Sequence, residues 1–203
     1  KVGEQVVVVH GGGPQIDVAL KDKGIVSTWV GGFRVTTKEI FDVVEDVLVN
    51  QVGHEVAATL GKAGIKAQAM SARTLPTVIA NRRRELIDGT PADLGFVGNV
   101  QSVNPSALLE LLNQGIVPVV APVSSDEDMA TGLNVNADFA AAAIAAAVEA
   151  SSLIVMTDVA GIYRNWPDKS SLIDSISAHE LEDIKSGFAE GMAPQVQAAL
   201  DAL

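Results

Sequence analysis

The most constraining feature of this chain is a join. Gln5-Val6-Val7-Val8-Val9 runs straight into His10-Gly11-Gly12-Gly13-Pro14. An unbroken β-branched run reads as a strand buried on both faces, as in a parallel sheet. Pro14 suits the first turn of a helix, which extends to about Lys23, with Gly24 just past its end. Strand, glycine turn and helix in direct succession commit the chain to an α/β fold. Three adjacent glycines also let a ligand approach the backbone closely, and the turn then offers N–H groups to an anion. A plain tight βα turn is the other reading, although such turns seldom need three glycines.

Only 4% of the 203 residues are aromatic and 48% are hydrophobic, so the core is built from Ala, Val, Ile and Leu. Further strands are expected at Lys66–Met70, Pro76–Ala80, Phe96–Val100, Val117–Ala121 and Leu153–Thr157, with an extended segment over 25–35. Thr36 and Glu39 predict a capping box for a long helix through about Leu60, striped by Ile40, Val43, Val47 and Val56. Asn104-Pro105 opens another helix and Gly115 closes it. Ser177 and Glu180 mark a capped helix, and Gly191-Met192-Ala193-Pro194-Gln195 opens the last one. Residues 122–133 are expected to be a mobile loop. Arg82-Arg83-Arg84 reads as a solvated hairpin edge rather than a phosphate patch. No repeat or boundary divides the chain, so residues 1–203 read as a single domain.

Several chemistries are excluded. There is no cysteine, hence no disulfide, thiolate or Cys-based zinc site. Ile16 stands where a dinucleotide fingerprint needs its third glycine, and no phosphate-loop lysine motif occurs. His10-Gly11-Gly12-Gly13 has no Gly-x-Ser-x-Gly partner for esterase chemistry. Ala58 breaks the His54-Glu55 zinc pattern. A net charge of −11 argues against a nucleic-acid surface, so any anion site must be locally positive. The longest apolar run, 139–148, is too short to span a bilayer, and no signal peptide is visible. The chain reads as cut at both ends, opening at Lys1-Val2-Gly3-Glu4 and closing in a helical pattern at Asp201-Ala202-Leu203.

Three places carry polar groups where an α/β fold binds ligands. Asn134-Val135-Asn136-Ala137-Asp138 precedes the alanine-rich helix; Asp138 is either a helix-cap acid or part of a polar cluster at the sheet mouth. Arg34, flanked by Gly31-Gly32, is either a solvated surface group or a bidentate clamp on a carboxylate. Thr157 and Asp158 end a predicted strand, with a turn cap as the alternative for Asp158.

Taken together, His10–Gln15, Gly32–Thr36, Gly95–Gly98, Asn134–Asp138, Thr157–Gly161 and Gly191–Pro194 make the chain resemble the amino-acid kinase family from about Val6 to Leu203. Within it the likeness is to the arginine-biosynthesis branch, and the Tyr163–Lys169 loop looks actinobacterial. The resemblance implies a three-layer αβα sandwich around a mainly parallel sheet, in a cytoplasmic enzyme. The N-terminal half would hold N-acetyl-L-glutamate and the C-terminal half ATP. The γ-phosphoryl group would pass to the substrate's side-chain carboxylate.

On the same resemblance, Gly12 and Gly13 would donate to the transferring phosphoryl, Arg34 and Asn134 would hold the substrate, and Asp138 would organise catalytic lysines. Gly11, Thr157, Asp158, Gly161, Tyr163 and Met192 would border the nucleotide. Mg2+ would arrive on ATP, with no protein metal site. A homo-oligomer (a dimer or a hexamer of dimers) and a nitrogen-regulatory protein partner are also implied.

The pattern departs from the family at three places. Gln195 stands where the family has a lysine, the sequence begins after the position of the family's lysine-bearing Gly-Gly strand, and Ala69-Met70-Ser71-Ala72-Arg73-Thr74 lacks the glycine-rich acidic pattern. These departures keep two alternatives open, a kinase for a related acylated amino acid and a regulatory or assembly module.

Overall fold

The computed structural model describes residues 4–73, 76–157, 160–165, 167–188 and 193–202. In chain order these form β1 (Val8–Val9), α1 (Gly13–Asp22), β2 (Trp29–Val30), β3 (Phe33–Arg34) and α2 (Lys38–Glu45). A π-helical stretch, Asp46–Val52, then leads into α3 (Gly53–Lys62). Next come β4 (Ala67–Ser71), β5 (Val78–Arg82), β6 (Val97–Val103), α4 (Ser106–Asn113), β7 (Val117–Ala121) and β8 (Val123–Ser125). Last are β9 (Gly132–Val135), α5 (Ala137–Ala147), α6 (Ala178–Ile184) and α7 (Ala193–Asp201).

Strand β7 lies between β1 and β4, parallel to both, pairing Val8 with Val119 and Ser71 with Ala121. Successive strand residues point to opposite faces. Thus Val120 joins Met70, Leu108 of α4 and Ile144 of α5 on one side. Ala121 joins α1, α2 and the π stretch on the other. This is the expected layering of helices on both faces of a parallel sheet. Pro122 then leads the chain into β8, and β5, β6, β9 and β8 close on one another as a second unit beside the sheet.

The long helix predicted from Thr36 is present in outline but starts one residue later. Thr37 is its N-cap, its hydroxyl accepting from the Ile40 N–H at 3.2 Å. Thr36 cannot serve, because its own side chain is fully buried and donates to the Arg34 carbonyl at 2.8 Å. The helix also widens midway. The Asp46 carboxylate accepts from Asn50, four residues on, and from Gln51, five residues on. The second spacing belongs to a π turn, a form found often at functional sites.

Two sequence expectations are overturned. Residues 122–133 are no loop: β8 and β9 pair antiparallel there, and Ser124 and Ser125 are buried. Three acids and two serines hid this hairpin, whose polar turn is 126–131. Residues 153–157, predicted as a buried strand, pair in no sheet among the described residues, with Ile154 80% and Met156 94% exposed. An apolar run becomes a strand only when another backbone lies beside it to complete the ladder.

The smaller cap signals hold. Gly24 and Gly115 end α1 and α4 in the left-handed region, and Ser177 and Glu180 form a reciprocal capping box. At α4, however, the start moves by one residue from the expected Asn104 cap with Pro105 in the first turn: Pro105 is the N-cap, and Asn104 accepts from the Ser106 N–H just ahead of it.

Gly95 is the tightest backbone junction. Its φ is +70°, and a Cβ there would lie 2.3 Å from the Thr36 carbonyl oxygen. Gly64 has φ +79° but open space around it. Gly95→Ala is therefore expected to cost about 3 kcal/mol, the sum of a left-handed penalty and a backbone clash, against about 1 kcal/mol for Gly64→Ala. Urea midpoints at unchanged m-value measure both, and equal losses would refute the clash.

Candidate functional site

The C-terminal ends of parallel strands are where α/β folds bind ligands. Here β1 ends in His10 and the glycine turn. Gly12 has extended backbone, so conformation does not demand glycine there. Packing does, because a Cβ would sit 2.7 Å from Leu48 Cδ2 and 3.3 Å from Val52 Cγ2, both on the π stretch. A Cβ on Gly13 would meet nothing within 4 Å. The N–H groups of Gly11, Gly12 and Gly13 donate to no described residue. A phosphate-sized anion fits such a turn: its donors are uncommitted and Gly13 has open space on its side-chain side.

His10 entered the sequence reading only as part of the glycine-turn motif, not as a site residue. It is 8% exposed, its Nδ1 lies 3.0 Å from the Gly11 carbonyl, and its Nε2 has no partner. Burial pulls its pKa below the ordinary value, partly opposed by the Gly11 hydrogen bond. The ring is thereby held neutral, with Nδ1–H donating to the turn. Gly53 makes room for it, since a Cβ there would stand 3.2 Å from Nε2.

Arg34 is 5% exposed, so the solvated-surface reading fails. Its Nη1 donates to Ser27 Oγ at 2.6 Å and pairs with Asp17 Oδ1 at 2.7 Å, while the guanidinium lies 4.5 Å from the Trp29 ring centre. Nη2 is buried without an acceptor. The anticipated two-armed clamp is therefore half used by the protein, and Nη2 is the donor left over. A buried donor of this kind is costly unless something accepts from it. Asp17 is one helical turn along α1 from Gly13, so this ion pair holds the guanidinium near the glycine turn.

Asn134 joins the same corner. Its Nδ2 donates to Thr36 Oγ1 at 3.2 Å, and that hydroxyl donates onward to the Arg34 carbonyl. Two residues on, Asn136 rather than Asp138 caps α5, accepting from the N–H groups of Asp138 at 2.8 Å and Phe139 at 3.3 Å. This leaves the Asp138 carboxylate free of capping work. Burial raises its pKa, and no cation pairs with it among the described residues. Ala137 meets the glycine turn: a Cβ on Gly11 would lie 3.8 Å from the Ala137 Cβ. The start of α5 is thus adjacent to the anion-ready turn.

The structure therefore gathers Gly11, Gly12, Gly13, Arg34, Asn134 and Asp138, residues far apart in sequence. Gln195 is half-buried in the first turn of α7, which packs on α5. Thr157 is exposed, and Gly161 and Tyr163 sit in a segment that folds on itself, with Tyr163 buried and bridged to Leu172. Asp158 and Met192 lie outside the described residues. Asp17, Thr36 and His10 were not singled out as site residues by sequence reasoning, although His10 abuts the three glycines and Thr36 was read as a helix cap.

A family model described as the amino acid kinase family matches residues 1–203. An acetylglutamate kinase from Nocardia farcinica is 46% identical over 202 residues, covering 100% of this chain and 66% of that protein. One from an Arthrobacter species is 47% identical over 207 residues, covering 100% and 67%. The chain spans about two thirds of the length of the curated relatives it matches. A crystal structure from Streptococcus mutans superposes with a TM-score of 0.85 at 29% identity, over 98% of this chain and 78% of that one. An N-acetylglutamate synthase from Neisseria gonorrhoeae, at 22% identity and a TM-score of 0.77 over 98% of this chain and 44% of that one, shares the fold. With a family model matched from end to end and relatives near half identity, this chain belongs to the amino acid kinase family.

Proposed function

We propose that this chain carries acetylglutamate kinase activity, moving the γ-phosphoryl group of ATP onto the side-chain carboxylate of N-acetyl-L-glutamate in arginine biosynthesis. The observation that carries the reading is the 46% identity along the whole chain to an acetylglutamate kinase. Phosphoryl transfer asks a protein mainly for positioning and charge stabilisation. ATP with Mg2+ supplies the transferable group, the metal riding on its phosphates.

In this reading Gly12 and Gly13 turn their uncommitted N–H groups toward the transferring phosphoryl, and Gly11 borders the nucleotide. Arg34 offers Nη2 to the substrate's α-carboxylate, and Asn134, braced by Thr36, fixes the substrate beside it. Asp138 orients cationic groups that reach the crevice. Gln195 donates a neutral hydrogen bond where the family motif has a charged one. Thr157, Asp158, Gly161, Tyr163 and Met192 border the nucleotide. Cytoplasmic location, homo-oligomeric assembly and a nitrogen-regulatory partner belong to the same proposal and rest on family resemblance.

A regulatory or assembly role is the second reading, and Gln195 is the observation that favours it. Trapping the acyl phosphate as a hydroxamate, with N-acetylglutamate and Mg-ATP supplied, separates the two. Gln195→Lys is expected to raise kcat by roughly 10-fold to 100-fold with little change in the KM for acetylglutamate, because it adds charge where the transferring group carries it. No turnover by either protein would favour the regulatory role.

Asp138 carries a stability signature as well. Its folded-state pKa is raised by burial, so the unfolded chain gives up this proton at lower pH than the folded one. Stability linked to it is fully present below the unfolded value, near 3.8, and is lost as pH rises through the folded value. Asp138→Asn should therefore melt higher than the parent at neutral pH, and the gap should narrow toward pH ~4. The same variant should lose turnover. A melting difference that does not change with pH would refute the buried-carboxylate account.

A further inference from the structure

Of the three arginines at 82–84, Arg82 and Arg84 are exposed on the hairpin edge, as the sequence predicts, whereas Arg83 is half-buried. Strand β5 pairs Arg82 with Gly98, and the pairing continues past the strand through Arg83 N–H to the Val97 carbonyl and Ala92 N–H to the Arg84 carbonyl. This hairpin frames a groove of about 530 Å³, lined by Arg82, Arg83, Arg84, Pro91, Ala92, Asp93 and Gly95. Pockets of roughly 300–1,000 Å³ are the size that takes small ligands.

The groove's cations are held in different ways. Arg83 is structural. Its guanidinium lies 4.3 Å from the Phe33 ring centre and 5.5 Å from that of Phe139, and it donates to the Glu85 carbonyl and to Asn99 Oδ1. The exposed Arg82 guanidinium lies 4.2 Å from the Phe96 ring centre, and its side chain donates to no described residue. Arg84 likewise has no acceptor among the described residues. The nearby carboxylate of Asp93 accepts from the Gly95 N–H and pairs with neither arginine. In a chain with 25 acidic against 14 basic residues, two guanidinium groups in one groove with no carboxylate paired to either among the described residues are conspicuous. An aromatic face under Arg82 lowers the entropy cost of presenting its planar fork, and such forks match phosphate and carboxylate oxygens.

We propose that this groove is a binding site for a small ligand carrying two or more phosphate or carboxylate groups, held by Arg82 and Arg84. The site shares no residue with the glycine-turn crevice and does not depend on the acetylglutamate assignment. Arg82 ends β5 and Arg84 follows two residues on, where the hairpin pairing continues, a spacing of about 6.6 Å at strand-like rise, so adjacent anionic groups of one molecule can each meet a guanidinium.

The test is calorimetric titration of the protein with pyrophosphate and, separately, with citrate. The two arms distinguish phosphate from carboxylate chemistry. Saturable binding of at least one probe is expected, weakened at least tenfold in Arg82→Gln/Arg84→Gln, as charge-assisted hydrogen bonds would require. Ala92→Glu, which adds a carboxylate at the groove while keeping both arginines, should weaken it comparably. It serves as the deciding variant if the double substitution alters the melting temperature. Binding that survives these variants would place the probe elsewhere, at the glycine turn for example, and overturn the proposal. So would the lack of saturable binding by either probe. A result at Arg34 or Gln195 bears only on the acetylglutamate reading.

Discussion

Thr36 is the residue on which the candidate site depends. It is fully buried, and all of its polar groups are used. Its N–H donates to Leu94 and its carbonyl accepts from Phe96. Its hydroxyl links the Arg34 carbonyl to the Asn134 amide. One side chain thereby ties the β3 corner to β9, 98 residues away in sequence, in the interior where such bonds are least exchangeable with water. Gly95 lets the backbone come close enough for this, and Thr37 takes over the helix cap that Thr36 gives up.

Around that link the structure concentrates positive character in a molecule of net charge −11. It does so with few cations. The glycine turn contributes uncommitted N–H groups, and Arg34 contributes one buried donor after Asp17 and Ser27 have taken the other arm. The partnership with Asp17 fixes the guanidinium in place, a positioning role that does not depend on net attraction. Packing serves the same end. The π stretch carries Leu48 and Val52 onto Gly12, so the turn is held by apolar contact from one side while Gly13 stays open.

Much of this was legible in the chain. The valine run, the three glycines and Pro14 announced the βα unit. The positions of Arg34, Asn134 and Asp138 beside glycines or helix starts marked them before any fold was known. What escaped has identifiable causes. The β8–β9 hairpin was hidden because Ser124 and Ser125 look like loop residues until a second strand buries them. Residues 153–157 looked like strand because sequence records hydrophobicity and not the presence of a neighbouring backbone. Arg83 looked solvated because Phe33 and Phe139, over which it lies, are 50 and 56 residues away.

By itself the sequence determined the local conformations and the chemical types available: which segments could be strand or helix, where glycine frees the backbone, and which side chains could meet an anion. These follow from interactions among near neighbours. Partnership was decided only by the tertiary structure. It set which arm of Arg34 was spent on Asp17, whether Thr36 capped a helix or joined two strands, and whether Asp138 or Asn136 did the capping. The physical reason is that burial and hydrogen-bond pairing depend on groups brought together from distant parts of the chain, and the spacing of residues along one segment does not encode them.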